Sequence, residues 1–178
     1  MKTDKKTFIG FLSFALATVV LVLTLKIVNW IPGTVQSNAL RRYASIDEVR
    51  SALNIQEIHV PTYFPDYIVW PPSEILAQGT PFPALVMMFK RAGKDEIALV
   101  LSQSQGQQLT AGNPIEITTV KETVPFTIKG KNAVLTVGEC GSDEPCSVIT
   151  WNEGGYTITA AMRAAPFELS KIVASMNP

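Results

Sequence analysis

The chain is poor in the residues that usually carry chemistry. It has one histidine, His59, and two cysteines, Cys140 and Cys146. Any catalytic triad or general-base scheme would have to run through that single imidazole, and no Ser, Cys or acid stands beside it in a nucleophile motif. Gly-x-Ser-x-Gly, a phosphate-binding glycine loop and a haem-type Cys-x-x-Cys-His are all missing. The sequence therefore points to no catalytic residue, no cofactor ligand and no enzyme. His59 reads as a solvated or hydrogen-bonded strand residue, and the neighbouring acids Asp95-Glu96 and Asp143-Glu144 as solvated turn residues. Basic and acidic residues balance at 15 each, and no basic cluster stands outside the first few residues. That argues against nucleic acid as a partner and against broad contact with anionic lipid. Internal repeats and long low-complexity runs are absent too.

Charge is also missing from Thr7 to Leu25, TFIGFLSFALATVVLVLTL. As one helix this run would reach roughly 28 Å, about the hydrocarbon thickness of a bilayer. Lys2, Lys5 and Lys6 precede it against Asp4 alone; Lys26 is placed to snorkel and Trp30 to sit at an interface. The expectation is a signal-anchor: a cytoplasmic tail over 1–6, a transmembrane helix over 7–30 and a linker over 31–42. A periplasmic or extracellular domain over 43–178 would follow, in a single-pass inner-membrane protein. A cleaved signal peptide is the competing reading, with Ser37-Asn38-Ala39 as the cleavage site, but the apolar run is longer than a signal core. A buried soluble helix would be expected to show a polar face. Gly10, Ser13 and Ala17 fall near one side of the expected span, where small residues let helices approach. They are the candidate helix contacts.

Beyond Trp30 enough chain remains for one domain with its own core. Ser45-Ile46-Asp47-Glu48 reads as a capping box opening a short helix that buries Val49 and Leu53 and ends at Asn54. Ile55 to Val60 reads as a strand with His59 turned away from Ile58 and Val60. Pro61 to Pro72, PTYFPDYIVWPP, has too many prolines for a helix or a central strand. It reads as an extended segment anchored by Tyr63, Phe64 and Trp70, or as an aromatic ledge on which Tyr63, Tyr67 and Trp70 dock a partner.

Ala84–Phe89 and Glu96–Leu101 predict an antiparallel hairpin, followed by a polar loop or fraying strand end over Ser102–Gln108. Ile115, Ile117 and Thr119 alternate. Phe126 to Val137 predicts a hairpin turning at Lys129–Asn132, with Gly130 and Asn132 free to take positive φ. Val148–Trp151 and Tyr156–Ala160 predict a further strand pair. Pro166 opens a last helix with Phe167, Leu169, Ile172, Val173 and Met176 along one stripe. The class read from this pattern is α+β: the membrane helix, then antiparallel hairpins with two helices packed on one sheet face.

Cys140 and Cys146 bracket the segment CGSDEPC. A disulfide, free thiols, or a metal site completed by Asp143 or Glu144 are the three readings.

FTIKGKNAVLTV, ITWNEGGYTITA and ELSKIVASM together resemble an extracytoplasmic domain of unknown function. That family is found in membrane-anchored regulators associated with anti-sigma factors, and is distantly similar to lipoprotein-carrier-like half-barrels. PTYFPDYIVWPP is similar to the entry segment of the same domains. The resemblance covers roughly Tyr43 to Pro178; it implies a fold and a compartment, but carries over no catalytic residue.

Two functions follow as expectations. One is a non-catalytic accessory subunit that binds and stabilises a larger membrane protein complex, with the bilayer and an integral membrane complex as partners. The alternative is a sensor or carrier domain that binds a lipid, lipoprotein or regulator in a concavity.

Overall fold

The structure, a computed structural model, describes residues 15–26, 40–105, 109, 113–141 and 144–177. The chain divides into two compact units, Met1–Asn38 and Ala39–Pro178.

In the first unit residues 15–26 are helical (α1). The expected membrane span is overturned: among the described residues no helix is long and apolar enough to cross a membrane. An uncharged run reports a tendency to avoid water, which burial and a bilayer satisfy alike. The signal-anchor and the single-pass inner-membrane placement, with its cytoplasmic amino terminus and outer domain, fall with the span. Gly10 and Ser13 lie outside the described residues, as does the tail over 1–6. Ala17 lies on α1 and is exposed.

The second unit is mostly antiparallel sheet, which corrects the α+β class. Eight strands run in the order β1-β3-β4-β5-β9-β8-β7-β6. They are β1 (Arg41–Tyr43), β3 (Glu74–Gln78), β4 (Ala84–Lys90), β5 (Ile97–Gln105), β6 (Thr119–Ile128), β7 (Lys131–Cys140), β8 (Glu144–Glu153) and β9 (Tyr156–Met162). β2 (Val60–Pro61) and β10 (Met176–Asn177) form a separate pair. Among the described residues of this unit, α2 (Ile46–Leu53) and α3 (Pro166–Ala174) are the helices. The sheet outgrows the pattern read from sequence because ladder bonds carry strands past their apolar centres. Ser102 to Gln105, expected as a loop or a fraying end, complete β5, with Gln103 and Ser104 buried.

Alternation along the strands gives the sheet two faces. Leu85, Met87, Phe89, Leu99, Leu101, Ile149, Trp151, Ile158, Ala160 and Met162 point to one face and form the larger core with Val49, Ile58, Leu169, Ile172 and Val173. Val86, Met88, Val100 and Ala161 point to the other, with Leu109, Ile115 and both cysteines. Central β4 and β5 are buried on both faces, so their apolar runs are nearly continuous.

Helix α2 starts as its capping box requires. Ser45 Oγ accepts the Glu48 N–H at 3.1 Å, Glu48 Oε2 accepts the Ala44 N–H at 2.7 Å, and Asn54 ends the helix at φ 54. In α3 Pro166 takes the first turn, but Phe167 leaves the expected stripe and stands 66% exposed. The β6–β7 turn takes positive φ at Lys129 and Gly130; Asn132 lies in β7. A lysine is tolerated there because its Nζ donates to Met176 O at 2.6 Å, tying the turn to β10.

Candidate functional site

The candidate site is the segment from Pro61 to Pro72, the part of the domain where sequence and ladder geometry conflict most. Prolines remove N–H groups, so this stretch cannot join the sheet as a central strand. It is instead pinned at intervals by the backbone groups it keeps. β2 pairs with β10, with Met176 opposite Pro61. The Tyr63 N–H donates to Ser175 Oγ at 3.1 Å, and the Thr62 hydroxyl to Ser175 O at 3.0 Å. Further along, Val69 N–H donates to Lys90 O at 2.9 Å, Ala92 N–H to Tyr67 O at 2.8 Å and Ser73 N–H to Met88 O at 2.8 Å. The result is a ridge fixed to α3 at one end and to β4 at the other.

The rings stand on a packed base. Phe89, fully buried, lies 5.1 Å from Phe64, and Phe64 lies 5.3 Å from Trp70. Above this base Tyr63 is 40%, Tyr67 37%, Val69 43% and Trp70 51% exposed. The three sequence candidates do not form one patch. Tyr63 borders a shallow depression with Lys171, Ala174 and Ser175 of the α3 side. Tyr67 feels the same helix: burial raises its phenol above the ordinary tyrosine range, the charge of Glu168 adds to this, and Arg91 opposes it. The ring therefore stays neutral and keeps its O–H donor at physiological pH. Trp70 instead walls a half-open groove of about 480 Å³ on the α2 side, with Ser45, Asp47, Arg50, Pro71 and Ile75.

Sequence reasoning missed two contributors. Phe167 was assigned to the core stripe, yet it lies outside with Lys171 Nζ 4.1 Å from its ring centroid. Its place directly after Pro166, in the first turn, was the available signal. The α2 side of the groove was legible only as a capping box.

His59 is not a solvated strand residue. It is 2% exposed and lies outside the strands. Its N–H donates to Gln103 Oε1 at 3.0 Å, while Gln103 Nε2 donates to Glu57 O at 2.7 Å. One side-chain amide thus satisfies two backbone groups of a buried irregular stretch. The imidazole Nε2 lies 3.8 Å from Glu153 Oε1. Glu153 is itself held by Lys131 and by Trp151 Nε1–H at 3.1 Å. The Lys131 bond holds the Glu153 carboxyl below the ordinary glutamate range; burial opposes this, and Trp151, the Lys131 charge and His59 lower it further.

Cys140 and Cys146 are joined in a disulfide, their Cα atoms 5.7 Å apart, and both are buried. Their sulfurs are closed to metal and to solvent alike. No protein-family profile, curated protein or solved structure matches the chain.

Proposed function

We propose that this protein is a non-catalytic binding subunit that docks a partner protein through the face made by Tyr63, Tyr67 and Phe167. The observation that carries the reading is a set of large rings left partly in water on a backbone pinned at both ends. Rigid, exposed aromatic rings lose little entropy on contact and dominate interface energetics. Lys171 and Glu168, paired at 3.4 Å beside Phe167, supply a polar rim. The experiment is purification of a native complex through a carboxy-terminal tag, comparing wild type with Tyr67→Ala and Phe167→Ala. Loss of about 2 kcal/mol, near thirtyfold in affinity, is expected for a central ring. A protein that purifies alone in every case ends the reading.

A second reading, a domain that binds a small ligand in a concavity, is favoured by the groove beside Trp70. Its volume falls within the roughly 300–1,000 Å³ common to ligand sites.

A further inference from the structure

We infer that the groove between Trp70 and the start of α2 binds a neutral carbohydrate, the exposed indole stacking on one face of a sugar ring. The inference rests on the ligand-binding reading and names the class of ligand. The groove has one large apolar wall, Trp70, 51% exposed and supported from beneath by Phe64 and Phe89. Pro71 and Ile75 continue that wall, while Ser45, Asp47 and Arg50 line the remainder.

The charges decide the ligand class. Arg50 Nη1 donates to Asp47 Oδ1 at 3.2 Å, and the two side chains are 43% and 89% exposed. Both ionised groups lining the groove are thereby matched, so the rim is polar without a net charge. A charged ligand of either sign would meet its like charge as well as its opposite within the same short pair. A neutral polyol meets no such repulsion. Neighbouring hydroxyls present donors and acceptors together, and a planar carboxylate and a planar guanidinium each engage two such groups at once. The C–H face of a sugar ring is apolar enough to cover the indole that water now covers. An apolar wall with a few placed polar groups is the usual composition of a small-ligand site. The groove stays open to solvent, so affinity for a single disaccharide should be in the millimolar range, about −4 kcal/mol.

The test is an NMR titration of the ¹⁵N-labelled full chain with maltose, cellobiose and diacetylchitobiose. At least one should shift the Ser45, Asp47 and Arg50 amides and the Trp70 indole N–H saturably. Trp70→Ala should weaken binding about tenfold or more. Asp47→Ala, at a site exposed enough to leave the fold unchanged, should weaken it severalfold. No saturable shift with any of the three sugars overturns the inference, as does binding that survives both substitutions. N-phenyl-1-naphthylamine, a neutral apolar probe, separates the two levels of failure. If it shifts the groove resonances and the sugars do not, the carbohydrate assignment is wrong and a ligand groove remains. If neither shifts them, the ligand-binding reading falls as well.

Discussion

On one face of the sheet, Phe89, Leu99, Ile149 and Met162 lie under two helices and a proline-rich ridge. On the other, Val86, Val100 and Ala161 lie under irregular chain near Leu109 and Ile115, beside a disulfide. Topology imposes the difference. β5 is central and β6 is an edge, so the connection between them must pass the positions of β9, β8 and β7. Its apolar residues join the second cluster. Gly138 shows how close the end of that connection comes, because a Cβ there would clash with an Ile117 methyl as well as with the carbonyl of Thr119, where β6 begins. An irregular cover buries fewer large side chains than a helix does, and on this face a disulfide ties β7 to β8. On the first face, rings of the covering layer, Tyr63, Tyr67 and Trp70, reach solvent.

The largest test of this contrast is Phe89→Ala. Phe89 is fully buried and carries both Phe64 and Trp70, so the cavity should cost about 3–5 kcal/mol, read from urea unfolding. Replacing Cys140 and Cys146 together by Ala should cost less, roughly 2–3 kcal/mol, since the closed loop is short. If the cysteine pair proves the costlier loss, the second face is the true keystone and the comparison is inverted.

Much of the first face was legible beforehand. The α2 capping box, the Leu169, Ile172 and Val173 stripe and the 84–101 hairpin declare themselves through local chemistry. Tyr63, Tyr67 and Trp70 could be singled out as rings outside the sheet because prolines bar their segment from it. Their separation onto two sides of a ridge could not be read, since it depends on how α2 and α3 flank that ridge. Nor could the burial of His59. Its environment is made by Gln103 and Glu153, residues distant in sequence that only the β5–β9–β8 order brings together. The apolar run from Thr7 misled for a related reason: composition sets a tendency to avoid water, and a bilayer is one of several ways to satisfy it.

The smallest expected effect sharpens the comparison at the rim of the first face. Glu153 is bonded to Lys131 and Trp151 beside the buried His59, and its carboxyl titrates below the ordinary glutamate range. A folded-state value below the unfolded one means that the unfolded chain takes up the proton first. The stabilisation is then complete above the ordinary glutamate range and disappears as pH falls through the lowered value. Its size is limited, because Lys131 is 43% and Glu153 25% exposed and solvent screens the pair. A contribution below about 1 kcal/mol is expected. Glu153→Gln should therefore be slightly less stable than wild type at pH 7, and the gap should close on acidification toward pH 3, read from thermal melts across that range. An equal gap at every pH would mean that the carboxylate acts through shape and hydrogen bonding alone. The stretch from Glu57 to His59 would then owe its hold at this corner to the Gln103 amide, with no contribution from the charge of Glu153.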